Sequence, residues 1–177
     1  MITLGKMIAR AAFIEGYDVK MSELHGLSQR GGSVSVQVRF GKKVYSPLIS
    51  KADLIISMER NEALKNCSLA DKETVFLIND HSIFSPSFQD KKLPDLKEIK
   101  KEISRFSKGI YIEQATQKMI EQLKNPILAG VYLISKSIHM GLIPLKPESF
   151  LRAIEDLAPK HIDLNKKAFQ IAKNEVK

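Results

Sequence analysis

Two short apolar runs limit what this chain can fold into more than any other feature of it. Ala52-Asp53-Leu54-Ile55-Ile56-Ser57-Met58 and Thr74-Val75-Phe76-Leu77-Ile78 are each almost continuously apolar. Runs of that length predict interior strands covered on both faces, as in sheets flanked by helices. Between them, Glu59 to Leu69 places Ala63, Leu64 and Cys67 on one side at helical spacing. A charged helical stretch from Leu96 to Phe106 then leads to Gly109 and a last strand, Ile110-Tyr111-Ile112-Glu113. Strands alternating with helices in this way predict a three-layer α/β/α arrangement with a Rossmann-like sheet.

The rest of the chain elaborates that plan. Leu4, Met7, Ile8, Ala11, Ala12 and Ile14 recur at helical spacing, and Gly16 supplies a stop, so the chain opens on a helix. Val19 and Met21 begin a strand. Val34, Val36, Val38 and Phe40 alternate with Ser35, Gln37 and Arg39, which predicts a strand with one buried and one polar face. Gly41-Lys42-Lys43 is expected to turn the chain so that Val44 to Ser46 returns antiparallel to that strand, stopped by Pro47. The sheet should therefore be mixed. The polar, nearly uncharged face of Ser33, Ser35 and Gln37 is expected to be either wetted or pressed against another protein. Residues 81 to 96, rich in Ser, Pro, Asp and Lys, read as a surface excursion. From Ala115 onward the pattern is helical throughout. It is interrupted at Asn125-Pro126, stopped at Gly141, and restarted at Pro147 and Ile162. At 177 residues a single domain is expected.

The segment joining the first two strands concentrates the polar chemistry. His25, Ser28, Gln29, Arg30, Gly31, Gly32 and Ser33 fall within nine residues. Two glycines after an arginine let a backbone approach something closely. Consecutive free N–H groups with Arg30 as a fork donor would make an anion-binding nest. The same residues also make an ordinary tight turn with a solvated arginine. Glu23 and His25, two apart, would form an acid/base pair only if brought together, and otherwise take a hydrogen-bonded structural role.

Much other chemistry lacks its signature. His25, His81, His139 and His161 stand apart, without zinc-ligand spacing. The one cysteine, Cys67, sits on an apolar helix side and reads as a small buried hydrophobe. A single thiol cannot hold an iron–sulfur cluster, nor can it form an intrachain disulfide, and with no export signal the cytoplasm is the expected compartment. There is no GxGxxG and no P-loop. The net charge of +8 suits nucleic acid, a phosphorylated cofactor or an acidic partner. Its densest part, Lys91 to Lys108, is interleaved with Asp90, Asp95, Glu98 and Glu102 and reads as a solvated helix face. The chain has no Trp and the stretch only one aromatic residue, Phe106, so a nucleic-acid stacking surface is poorly supported, and no apolar run reaches membrane-spanning length.

The residues SELHGLSQRGGSVSVQVRFGKKVYSPLI resemble the gamma-type subunit, or fused domain, of the 2-oxoacid:ferredoxin oxidoreductases. The likeness is strongest to the small beta subunit of indolepyruvate ferredoxin oxidoreductase. Members typically carry E-x-H-G-M-[SA]-Q-R-G-G-S, an R-[IF]-G turn, V-Y-S-P-L-I, and A-D-x-[IL] leading to E-x-x-E-A-L. Here these stand at Glu23 to Ser33, Arg39 to Gly41, Val44 to Ile49, Ala52 to Leu54 and Glu59 to Leu64. Asn125-Pro126, Gly141 to Leu145 and Leu164 to Phe169 also follow the pattern, so the likeness spans nearly the whole chain. It departs in two places. Members usually begin with a strand and a Gly-rich turn before the helix that contains Thr3-Leu4-Gly5-Lys6, and this sequence starts after that turn. The long helix has Gly130 and Ser135 where Asn and Gly are expected.

The resemblance implies a subunit of an enzyme that oxidatively decarboxylates a 2-oxoacid, indolepyruvate or another aryl pyruvate, to an acyl-CoA with electrons passed to ferredoxin. Thiamine diphosphate, magnesium and iron–sulfur clusters would sit in a large partner subunit, and this chain would not act alone. Coenzyme A would be a substrate of the complex, accommodated at the loop Ser28, Gln29, Arg30, Gly31, Gly32 and Ser33, with Glu23 and His25 as auxiliary groups. The competing expectation is a stand-alone nucleotide- or nucleic-acid-binding α/β module.

Overall fold

In the computed structural model, which describes residues 1–25, 33–82, 94–107 and 109–176, the strand and helix segments fall close to where periodicity puts them. In chain order they are α1 (Ile2–Ile14), β1 (Asp18–His25), β2 (Val34–Gly41), β3 (Leu54–Ser57), α2 (Arg60–Lys65), β4 (Val75–Asn79), α3 (Leu96–Ile103), β5 (Gly109–Glu113), α4 (Ala115–Leu123), α5 (Ala129–His139), α6 (Pro147–Leu157) and α7 (Ile162–Glu175). Short 3₁₀ turns at Cys67–Leu69, Pro126–Leu128 and Pro159–His161 join some of them. The chain divides into two compact units: Met1–Ile49 with Gly130–Lys177, and Ser50–Ala129.

In the first unit, α1 buries Met7, Ala11 and Ala12 and ends where Gly16 takes φ +82°, a conformation glycine adopts without a Cβ penalty. It lies on an antiparallel hairpin of β1 and β2, whose register runs from Asp18 opposite Gly41 to His25 opposite Val34. The approach is close. A Cβ on Gly5 would stand 2.4 Å from Val36 Cγ1, so the helix seats on the strand because residue 5 has no side chain. Helices α5, α6 and α7 supply the rest of this core, with Tyr132, Leu133, Phe150, Ile154 and Phe169 essentially sealed from solvent. Phe150 and Phe169 stack at 6.4 Å between centroids.

The second unit holds a parallel three-stranded sheet ordered β3-β4-β5. Phe76, Leu77, Ile78 and Asn79 of the central β4 are fully buried. Helix α2 packs on β3 and β4 and against α3. The charged α3 is held by a reciprocal cap, in which the Asp95 carboxylate accepts from Glu98 N at 2.8 Å and the Glu98 carboxylate from Asp95 N at 2.9 Å. Its apolar side inserts Ile99 and Ile103 into the core. Lys124 adopts φ 53° after α4, and the Asn125 side chain accepts from Ile127 N at 3.1 Å, which makes the break at Asn125-Pro126. Among the described residues, no helix is long and apolar enough to cross a membrane.

The α/β class and the helical C-terminal third are as the sequence predicts, but three details differ. Val44 to Ser46 is not a strand, and β2 pairs with β1 instead. The parallel and antiparallel portions expected of one mixed sheet form two separate sheets. Finally, among the described residues β3 stands at the edge of its sheet rather than in its interior. Its side chains alternate between half-buried and buried, so its apolar run does not mean equal cover on both faces.

Candidate functional site

The hairpin carries the residues singled out from the sequence, and its described part is built around the segment that follows it. Ser28, Gln29, Arg30, Gly31 and Gly32 lie outside the described residues. Ser33 is exposed just before β2, and Glu23 is exposed in β1 opposite Val36. His25 closes β1 opposite Val34. Glu23 and His25 are thus alternate residues of one strand rather than members of a loop.

What the sequence does not reveal is the use made of the polar face of β2. Gln37, expected to be wetted or pressed against another protein, is 8% exposed because the chain's own residues 46–49 lie over it. Its Oε1 accepts from Ile49 N at 3.2 Å. Beside it the Arg39 guanidinium donates to the carbonyls of Leu48 at 3.0 Å and Ser46 at 3.3 Å. Ser46 Oγ accepts from Leu48 N at 3.1 Å. At the start of the segment Asp18 Oδ2 accepts from Val44 N at 2.9 Å, with Lys20 Nζ 3.0 Å from Oδ1. The Val44 hydrogen bond and then Lys20 hold the Asp18 carboxyl below its usual range. Val44 to Ile49 therefore satisfies its backbone with side chains of β1 and β2 instead of a strand ladder, which is why the expected return strand is absent. Val44 is buried, while Tyr45 and Leu48 project outward.

The carboxyl end of the parallel sheet, the usual place for ligands in open α/β sheets, is closed by its own polar groups. Asn79, fully buried, donates through Nδ2 to Met58 O at 3.0 Å and Thr116 Oγ1 at 2.7 Å, and its Oδ1 accepts from Thr116 N at 3.2 Å. That one side chain ties the end of β4 to the turn after β3 and to the first turn of α4. Arg60 reaches Asp80 at 3.4 Å, and Glu59 caps α2 by accepting from Asn61 N and Glu62 N. Cys67 is buried, its Sγ 3.7 Å from Ala63 O. Burial first, and the Glu102 carboxylate second, push its thiol up, which disfavours the nucleophilic thiolate. No group of three His, Cys, Asp or Glu side chains converges as a metal site among the described residues.

Gly130, part of the second departure from the resemblance, lies close against Leu4 of α1. A Cβ there would stand 2.2 Å from Leu4 Cδ1, so in this chain Leu4 of α1 fills the space an asparagine side chain would take.

Residues 1–175 match the pyruvate ferredoxin/flavodoxin oxidoreductase family. The indolepyruvate oxidoreductase subunit IorB of Pyrococcus horikoshii is 32% identical over 176 residues, covering 97% of this chain and 87% of that one. Among solved structures, the gamma subunit of a keto/oxoacid ferredoxin oxidoreductase from Geobacter sulfurreducens has the same fold, with a TM-score of 0.68 at 18% identity over 98% of this chain and 89% of that one. A 2-oxoglutarate:ferredoxin oxidoreductase from Magnetococcus marinus, solved with 2-oxoglutarate, coenzyme A and succinyl-CoA bound, matches with a TM-score of 0.72 at 16% identity. The match covers 98% of this chain but only 28% of the longer one.

Proposed function

We propose that this chain, which belongs to the pyruvate ferredoxin/flavodoxin oxidoreductase family, is the small subunit of an aryl-pyruvate-type 2-oxoacid:ferredoxin oxidoreductase. The complex would cleave the bond between the carboxylate and the keto carbon of its substrate. Carbon dioxide leaves, the acyl group is transferred to coenzyme A, and the electron pair released goes to ferredoxin. The observation that carries this reading is the likeness to an indolepyruvate oxidoreductase subunit along 97% of the chain.

Thiamine diphosphate, magnesium and iron–sulfur clusters belong to a larger partner subunit on this reading. Support comes from this chain's donor set, since its one thiol is buried and cluster ligation normally takes four thiolates. The occurrence of the same fold as 28% of a longer chain in the Magnetococcus enzyme supports a partner that supplies the remainder. Ser28, Gln29, Arg30, Gly31, Gly32 and Ser33 would accommodate coenzyme A, an anion rich in phosphate, through backbone N–H groups and the Arg30 fork. Glu23 and His25 would stand beside them.

The test is co-expression with a large thiamine-dependent chain. The complex should oxidise indolepyruvate or another aryl pyruvate with coenzyme A and ferredoxin, and this chain alone should not. Turnover by the isolated chain, or co-elution with nucleic acid in place of the large chain, would overturn the reading.

A further inference from the structure

The segment latched over β2 carries an inference that rests on the subunit reading and goes beyond it. Tyr45 and Leu48 are 82% and 61% exposed, and they stand on a backbone fixed at four points by Asp18, Gln37, Arg39 and Ser46. Large apolar side chains held out on rigid support lose little conformational freedom when they bind, which is the character of binding hot spots. The buried Gln37, the half-buried Asp18 and the exposed Arg39 are spent on holding a loop that buries only Val44 and half-buries Ser46, Pro47 and Ile49. Support of that kind does little for the core and much for presentation.

The charge around the pair indicates what it faces. Lys42 and Lys43, which precede it in the chain, are exposed, and Lys43 Nζ stands 5.0 Å from the centre of the Tyr45 ring. The unit that carries the hairpin has 15 basic and 8 acidic residues, whereas the sheet unit has 13 and 12. The basic excess of the chain therefore lies in the unit that carries the hairpin. A second copy of this chain would bring like charge to like charge. Among the described residues, no amphipathic helix stands at this point to lie in a bilayer.

We infer that Tyr45 and Leu48 are the anchor by which this chain docks into an apolar pocket with an acidic rim on the larger oxidoreductase subunit. The lysines steer the encounter, and the two side chains set the lifetime of the complex.

The test uses the full-length chain and the large subunit, with the dissociation constant measured at low and high salt for wild type, Tyr45→Ala, Leu48→Ala, the double variant and Phe13→Ala. Phe13, 63% exposed on α1, serves as an exposed-hydrophobe control. Tyr45→Ala is expected to weaken association about 30-fold and Leu48→Ala about tenfold, with melting temperatures unchanged and Phe13→Ala without effect. Charge reversal at Lys42 and Lys43 should slow association and flatten its salt dependence. If wild type binds and the double variant binds equally well, the anchor is wrong and the subunit reading stands. If wild type does not bind the large subunit at all, both fall. Loss of self-association, or of binding to anionic phosphatidylserine vesicles, in the double variant with the complex intact would assign the pair to a second copy or a membrane and overturn the proposal.

Discussion

Replacing Gln37 by leucine would test whether the latch is a local device. Leucine keeps the approximate volume of the side chain and removes the acceptor that holds Ile49 N at 3.2 Å. The amide left behind is partly buried, and an unpartnered donor of that kind costs about 1–3 kcal/mol. Leucine regains some of this by burying well at a site only 8% exposed, so a net loss of about 1–2 kcal/mol is expected. Because the lost contact is confined to residues 44–49, the loss should appear as easier local opening rather than global unfolding. It corresponds to about a 5- to 30-fold fall in protection of the Ile49 and Leu48 amides in native-state hydrogen exchange. Amides of β4, in the other unit, should keep their protection. Arg39→Ala, which removes donors to Ser46 O and Leu48 O, should loosen the same amides, and the double variant should be less than additive because both side chains hold one segment. Two results would refute this reasoning: unchanged exchange at Leu48 and Ile49, or a uniform fall in protection across both units.

Further outcomes follow from other contacts. Arg30→Ala in the assembled enzyme should weaken apparent coenzyme A affinity about ten- to hundredfold, the effect of losing a charge-assisted hydrogen bond worth roughly 1.5–3 kcal/mol. Arg30→Lys should restore only part of it, as read by coenzyme A titration with assembly checked alongside. Asp18, whose carboxyl is held below its usual range by Val44 N and Lys20, gives stability that is present above the ordinary carboxylate range and lost as pH falls through its lower folded value. Asp18→Asn should lose that increment at neutral pH and flatten the acid limb of melting temperature against pH. Asn79→Asp places a carboxylate where Met58 O now receives a hydrogen bond, costing about 3–5 kcal/mol at neutral pH. Its folded pKa would be raised, so the variant should regain stability in acid and lose it as pH rises through the unfolded aspartate range, which denaturant melts at several pH values would show.

The boundaries of α1, α6 and α7 were legible because their ends are marked in sequence, by Gly16 for the first, by Pro147 and Pro159 for the second, and by an unbroken helical period for the third. The partner of β2 was not. Gly41-Lys42-Lys43 reads as a three-residue turn directly before the pair Val44-Tyr45, whereas the true partner β1 lies across residues 26–33, longer than the usual hairpin loop of about two to five residues. Sequence proximity favoured the wrong neighbour. Gln37 misled for a related reason. A polar residue in an alternating strand reads as facing water, and only the path of residues 46–49 shows that the chain itself covers it. The apolar content of Leu54 to Ile56 was read correctly as strand, but position within a sheet depends on strand order, which periodicity does not encode. The candidate loop rests on the chemistry of Arg30 and its glycines and on the order of the surrounding family motifs, and residues 26–32 lie outside the described residues.

The charge distribution shows how sequence density and function can diverge. The most conspicuous basic stretch, Lys91 to Lys108, belongs to the unit with 13 basic and 12 acidic residues. In its described part, Arg105 pairs with Glu102 at 2.8 Å, and Asp95 and Glu98 are engaged in the cap of α3. Those charges largely cancel one another and solubilise a helix. The sparser lysines and arginines of the other unit are not so balanced, and they lie on the unit whose hairpin carries Arg30, Arg39, Lys42 and Lys43. Long-range attraction depends on the uncancelled charge rather than on local density. Attraction toward an anionic substrate or an acidic partner should therefore come from the unit that carries the hairpin, even though the lysine-rich helix is the more basic segment to the eye.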